Sequence, residues 1–460
     1  MPYHTEGNEV IPSARRLIKS LRDMGYDFAS AVADLVDNSI EAGATLVAID
    51  VEFDGDDSWV RIADNGKGMT PSELREAMRY GAEREYEKED LGKFGLGLKT
   101  ASLSQCQRLS VASRINPARA DITAYCWDMA HIDKTNRWEI LPLDRNGLGP
   151  AIREPLKETT GTVVLWQRLD RILGYKHPYG EMARRRLSAL CRDVEDHLAM
   201  VFHRFLSGKM PRRKFKILLN GNPVKPWDPF ARWEKKTKSL TPVTLKIEHE
   251  GVSGEVKLEP FVLPHQNDFS SQDAFKQASG PANWNQQQGF YIYRAGRLIQ
   301  SGGWCRLRTI DEHTKLARIA LSFSPALDEA FKINVAKMRV QLPLQIREQI
   351  EQAIRQVVKM ARDAYDRPSS RPPATSVNRP STTPAVPITS PLEDLTETGL
   401  SIKPSAGTVE ENSSPSEAQQ LWTIDELHSR LRDMAEPEER PIIDRVFNRF
   451  LTRLNREGDS

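Results

Sequence analysis

Residues 33–39 read Ala-Asp-Leu-Val-Asp-Asn-Ser and lie inside a run, Ala31 to Ala42, whose spacing predicts a helix stopped by Gly43. Four-residue spacing sets Asp34 and Asn38 on one face of that helix. An acid beside an amide oxygen suits a general base for water next to a ligand for a hard cation such as Mg2+. Taken alone, the same pair also reads as the solvated face of an ordinary helix. Outward from it, Leu46–Phe53 and Trp59–Ala63 alternate like strands on either side of the turn-rich Asp54-Gly55-Asp56-Asp57. Upstream, Pro12-Ser13 opens a helix in which Leu17, Ile18 and Leu21 recur at near-helical spacing. Downstream, Pro71 to Tyr80 is helical, Gly81 to Gly97 is a charged, glycine-punctuated and therefore mobile loop, and strands follow near Leu109–Arg114, Ile122–Trp127 and Thr162–Gln167.

Three further segments carry chemistry. Asp64-Asn65-Gly66-Lys67-Gly68-Met69 directly follows a strand; a carboxylate at a strand end accepts from an exocyclic amine, and Gly66 and Gly68 let a flat ligand approach the backbone. The run also reads as a plain Asn-Gly turn. Gly92-Lys93-Phe94-Gly95-Leu96-Gly97-Leu98-Lys99-Thr100-Ala101 places glycines before a helix, where exposed N–H groups and the helix dipole favour phosphate. Its spacing is neither a Walker A loop nor a Rossmann fingerprint. Gly161-Thr162 opens a strand and has almost no specificity by itself.

In order and spacing, these segments together resemble the GHKL (Bergerat-fold) ATPases, which include gyrase B-type topoisomerases, histidine kinases, MutL and the microrchidia (MORC) proteins. The run Asp34–Thr45, DLVDNSIEAGAT, looks like the MutL segment in all but a few positions. The resemblance covers about residues 12–170 and implies an α+β protein opening with an α/β-sandwich ATPase domain that uses ATP and Mg2+. It assigns Asn38 to the metal and Asp64 to the adenine amino group. Gly68 would lie against the base with Gly66 and Met69 beside it, and Thr162 would support a water there. Gly92, Phe94, Gly95, Leu96, Gly97 and Lys99 would border the triphosphate, with Gly81 to Phe94 as a lid. Asp34 would be the catalytic base. The chain departs from the family here, because MutL, gyrase and the chaperones have Glu at this place. Aspartate is one methylene shorter, and misplacement by about 1 Å costs on the order of 10²-fold in rate, so hydrolysis is expected to be slow.

Beyond this region, Glu181 to Leu206 reads as a long helix. Lys214–Leu219, Val243–Glu248, Glu255–Phe261 and Phe290–Tyr293 read as strands, and Gln345 to Ala364 as an amphipathic helix. Phe331–Val340, FKINVAKMRV, resembles the transducer segment of MutL-type proteins, in which a lysine reaches the γ-phosphate; Lys337 fits that role best and Lys332 is the other candidate. Gly289–Arg294, Gly296–Ile299 and Leu219–Phe230 look like bacterial MORC-like ATPases of DNA modification and phage defence. From Arg367 to Gln420 the chain is rich in Pro, Ser and Thr and nearly without aromatics, which predicts a disordered tether. The expected organisation is therefore 1–175 ATPase domain, 176–366 transducer-like domain with its connecting helix, 367–420 linker, and 421–460 short helices that dock on a protein partner or on the body of the chain.

Composition limits the remaining possibilities. Lys+Arg of 65 against Asp+Glu of 63 leaves a net charge of +2, so DNA contact would need a local patch. Arg204, Lys209, Arg212, Arg213, Lys214 and Lys216 form one such cluster, and Arg184, Arg185 and Arg186 another. Cys106, Cys126, Cys191 and Cys305 stand far apart, which argues against a disulfide scaffold or cysteine-rich zinc site. His131, His197, His203 and His313 lack metal-ligand spacing. With no signal-peptide layout at Met1–Asn8 and no long apolar run, the expected location is cytoplasmic. Two functional expectations follow. One is an ATP-gated switch that closes as a homodimeric clamp, able to enclose DNA, in DNA processing or phage defence; the other is a nucleotide-gated scaffold that recruits a partner with little turnover, or a chaperone-like ATPase.

Overall fold

The computed structural model describes residues 11–23, 25–81, 97–118, 121–145, 147–174, 177–208, 210, 214–333 and 340–367. The chain divides into two compact units, Met1–Pro373 and Ala374–Ser460, and every described residue belongs to the first. The predicted docking helices, and the predicted linker after Arg367, lie outside the described residues.

In chain order the first elements are α1 (Ala14–Arg22), α2 (Phe28–Glu41), β1 (Leu46–Glu52), β2 (Trp59–Asp64), α3 (Pro71–Met78), α4 (Gly97–Leu103), β3 (Arg108–Arg114), β4 (Thr123–Asp128) and α5 (Met129–Thr135). They continue with β5 (Leu141–Pro142), α6 (Pro150–Arg153), β6 (Gly161–Gln167), α7 (Glu181–Val201), α8 (His203–Leu206), β7 (Lys216–Leu219) and β8 (Asn222–Pro223). The strands form one eight-stranded sheet in the order β5-β4-β3-β6-β2-β1-β7-β8, antiparallel except for the parallel pair β1–β7. The fold is α+β. β7 and β8 fall in the stretch that sequence reasoning assigns to the second domain, yet they extend the first sheet.

Period-two alternation sorts this sheet's side chains into two layers. Val47, Ile49, Val60, Ile62, Leu109, Val111, Val164 and Trp166 share a core with α1, α2 and α7. Ala63, Ala112, Ala124, Val163 and Leu165 face the other way and are covered by Leu148, Ile152 and Leu156 around α6. Helix α2 is the central element of the first layer. Asp27 caps its start by accepting from the Ser30 N–H at 2.8 Å, and residues 30–37 are all buried. Gly43, at φ +75°, lets the chain leave for β1.

The second sheet contains β9 (Lys238–Ser239), β10 (Val243–His249), β11 (Val252–Val262), β12 (Gly289–Arg294), β13 (Arg297–Ser301) and β14 (Ala317–Phe323). Its order is β10-β11-β14-β12-β13, with β9 paired to β11, and β12–β14 is its parallel pair. Helices α9 (Gln272–Ser279) and α10 (Leu344–Tyr365) complete the unit. Ile346, Ile350, Ile354, Val357 and Ala361 give α10 one apolar face, which packs on Leu245, Val256, Leu258, Ile319 and Leu321 in a second core. Residues of β12 and β13 lie on both sides: Phe290 and Ile292 join this core, whereas Tyr291, Tyr293 and Leu298 join the first. The second sheet is thereby packed against α7 and α8.

Candidate functional site

The carboxylate ending β2 is held by three hydrogen bonds. Asp64 Oδ1 accepts from the Gly66 N–H at 2.8 Å and from the Thr162 N–H at 3.2 Å. Its Oδ2 accepts from the Ser39 hydroxyl at 3.1 Å, which ties the end of β2 to α2. Burial pushes the Asp64 carboxyl up, against the pull of those three hydrogen bonds. A carboxylate oxygen takes more than one donor, so Oδ2 retains capacity for an amine. Around it, the Ser113 hydroxyl of β3 donates to the Gly161 carbonyl at 2.9 Å, lies 3.1 Å from the Thr162 hydroxyl, and accepts from the Met69 N–H at 2.8 Å. Asn65 is used differently. Its Oδ1 accepts from the N–H groups of Thr45 and Leu46, which clasps the turn to β1.

The glycines also have a reason within the protein itself. A Cβ at Gly68, where φ is +70°, would stand 2.2 Å from the Arg114 carbonyl oxygen; at Gly66 it would meet Ala42 Cβ and Asp64 Oδ1, both at 2.9 Å. The protein's own backbone and neighbours require glycine there.

One turn of α2 before Asn38, Asp34 is 4% exposed. The Tyr26 hydroxyl donates to its Oδ2 at 3.0 Å, and a Cβ placed on Gly97, the first residue of α4, would lie 3.8 Å from the same oxygen. Burial, and then the Asp34 carboxylate, push the Tyr26 phenol well above its ordinary range. Arg297 of β13 approaches from the second sheet: its Nη2 is 3.6 Å from Asp34 Oδ1, and its Nε is 2.7 Å from Asp37 Oδ2. His197 of α7 is pushed down to about 4, by burial first and then by the Arg297 charge. Asn38 is half-buried beside this cluster.

The structure thus brings together Asp34, Asn38, Asp64, Gly66, Gly68, Met69, Gly97 and Thr162. Lys99 is nearby but engaged: it is 2% exposed, its Nζ donates to the Ala77 carbonyl at 3.0 Å, and burial pushes it down to about 8. Gly92, Phe94, Gly95, Leu96 and Lys337, with nearly all of the predicted lid, lie outside the described residues; Lys332 is exposed. Of the DNA cluster, Arg204 is not a surface cation. Its guanidinium lies 3.4 Å from the Tyr293 ring centroid, donates to the Ser322 hydroxyl at 3.0 Å and approaches Glu259 at 3.9 Å. Lys214 and Lys216 are exposed, as are Arg184, Arg185 and Arg186, while Lys209, Arg212 and Arg213 lie outside the described residues. Tyr26 and Ser113 carry no sequence signal, and Arg297 stands in a quoted run without a role.

The donor set fits a purine nucleotide at its base end: a buried acceptor, a supporting hydroxyl pair and a close-packed turn meet beside an acid–amide helix face. Among the described residues no group of three or more His, Cys, Asp or Glu is placed to hold a metal, so Asn38 would act with the nucleotide's own oxygens. The family of histidine kinase-, DNA gyrase B- and HSP90-like ATPases matches residues 26–162. The N-terminal region is a GHKL ATPase domain. It is MutL-like: the DNA mismatch repair protein MutL of Pasteurella multocida is 40% identical over 91 residues, 19% of this chain and 15% of that protein. MutL of Shewanella amazonensis is 41% identical over 91 residues, 19% and 14% of the two chains, and MutL of an Escherichia coli O17:K52:H18 strain is 38% identical over 102 residues, 21% and 16%. The likeness is confined to the GHKL domain, and this chain spans only about one seventh of these relatives' length. Among the described residues no helix is long and apolar enough to cross a membrane.

Proposed function

We propose that the chain is a Mg2+-dependent ATPase of slow turnover, an ATP-gated conformational switch that closes as a homodimeric clamp in DNA processing or antiviral defence. One observation carries this reading. Helix α2 sets Asp34 beside the start of α4 while Ser39, little more than a turn further on, holds Asp64 at the end of β2. The two ends of the site are therefore built from one rigid element. Bound ATP and Mg2+ supply an electrophilic phosphorus and the charge that activates it. Asp64 Oδ2 accepts from the base amine, Asn38 offers its amide oxygen to the cation, and Asp34 takes a proton from water. DNA mismatch repair, named for the MutL relatives, supports DNA as the partner enclosed; among the described residues, Lys214 and Lys216 are the exposed cations of the first cluster.

Calorimetry with Mg·ATP tests the binding half. Asp64→Asn should weaken binding by roughly 10- to 100-fold, since a hydrogen bond to a charged group is worth about 1.5–3 kcal/mol. Asp34→Ala should keep that affinity and lose turnover. Parental affinity in the first variant, or parental turnover in the second, overturns the role assigned to that residue. Affinity without turnover in the parent itself points to the scaffold.

A further inference from the structure

We infer that Arg297 is a positioning residue for Asp34, so that turnover depends on how the second sheet seats against α2, separately from nucleotide capture. The inference rests on the ATPase reading above and adds a residue to its machinery.

Asp34 and Asp37 lie three residues apart on a helix, Phe28–Glu41, that contains no Lys or Arg. They are 4% and 0% exposed, and Arg297 is 4% exposed. Two buried carboxylates one turn apart need a cation, and this one arrives from β13, some 260 residues along the chain. Its grip is uneven. Nε contacts both Asp37 oxygens, at 2.7 and 3.0 Å, whereas Nη2 stands 3.6 Å from Asp34 Oδ1. Asp37 is the anchor, and Asp34 receives the charge from the greater distance of 3.6 Å. With the Tyr26 hydroxyl on Oδ2, the short side chain is held from both sides.

Arg297 is itself fixed by the second sheet. It opens β13 after the tight turn Ala295-Gly296, whose φ angles are +47° and +85°, as a two-residue hairpin requires. Arg294, its partner across that hairpin, is clamped by Asp328 at 2.7 and 2.8 Å. The Phe202 ring centroid lies 6.0 Å from the Arg297 guanidinium carbon. A shift of the hairpin therefore moves a positive charge relative to Asp34, and a displacement of about 1 Å is worth on the order of 10²-fold in rate.

The test measures kcat and the affinity for a non-hydrolysable ATP analogue in the full chain, with thermal melting as the check on folding. Arg297→Gln should lower kcat by about 100-fold with affinity within about twofold of the parent, and Arg297→Lys should recover it to about a tenth of the parental rate. Parental or raised kcat in folded Arg297→Gln overturns the inference, as does an equal loss of affinity and rate in both variants. If Arg297→Gln does not fold, Arg297→Lys decides: about a tenth of the rate at unchanged affinity supports positioning, and the parental rate overturns it. A parent that neither binds nor hydrolyses ATP overturns the ATPase reading and this inference together. A parent that hydrolyses ATP no faster than Arg297→Gln overturns this inference alone.

Discussion

At Gly68 and Gly161 the backbones of three segments come within contact of one another. A Cβ at 161 would stand 1.9 Å from the Asp64 carbonyl oxygen, and one at 68 would stand 2.2 Å from that of Arg114. Both glycines have positive φ, +142° and +70°. An alanine at 68 therefore meets a steric and a conformational penalty at once. Gly68→Ala is expected to destabilise the protein by on the order of 2–4 kcal/mol, read as a lower denaturant midpoint. An unchanged midpoint would mean that the turn opens freely. Motif reading found these glycines but not this reason for them, because spacing reports where glycine stands and not which atom crowds it. Ser113 shows the opposite failure. A lone serine in a strand has no pattern, yet its hydroxyl joins Met69, Gly161 and Thr162.

Among elements, α4 and α3 are joined by a buried lysine. Lys99 Nζ bonds the Ala77 carbonyl in the last turn of α3, where the helix dipole favours a cation. Burial still pushes Lys99 down to about 8 from 10.5. Between these values the unfolded chain binds the proton more readily than the folded one, so stability rises with pH across that window. Relative to Lys99→Met, the parent should gain on the order of 2–3 kcal/mol from pH 8 to pH 10.5. Parallel pH profiles for the two proteins would refute this. The strongly periodic elements were legible: α2, α10 and β1 to β3 stand within a few residues of their predicted places. β14, Ala317–Phe323, was not, because nearly every residue of it is buried and no alternation marks it. Arg318 within it obscures the signal further, being a fully buried cation whose guanidinium carbon lies 5.2 Å from the Trp284 ring centroid and 5.8 Å from those of Trp227 and Tyr291. Arg204 of the basic cluster misled for a related reason: charge in a sequence does not say whether a tyrosine ring and a serine have already claimed it.

For the whole molecule, the first sheet and the first core do not end where the family resemblance ends. Val194, Leu198, Phe202, Phe215 and Ile217 belong to the same core as α2. A fragment of residues 1–175 is therefore expected to melt well below residues 1–367 or to aggregate, as size-exclusion chromatography would show; a monomeric, equally stable fragment would contradict this. The parallel β1–β7 pair has a consequence during synthesis. At about 5–20 residues per second, β7 leaves the ribosome roughly 8–30 seconds after β1. Throughout that interval one side of β1 offers unsatisfied amide and carbonyl groups to any passing chain. Translation speed across the long helix between them, and the supply of holding chaperones, would then govern the yield of active protein.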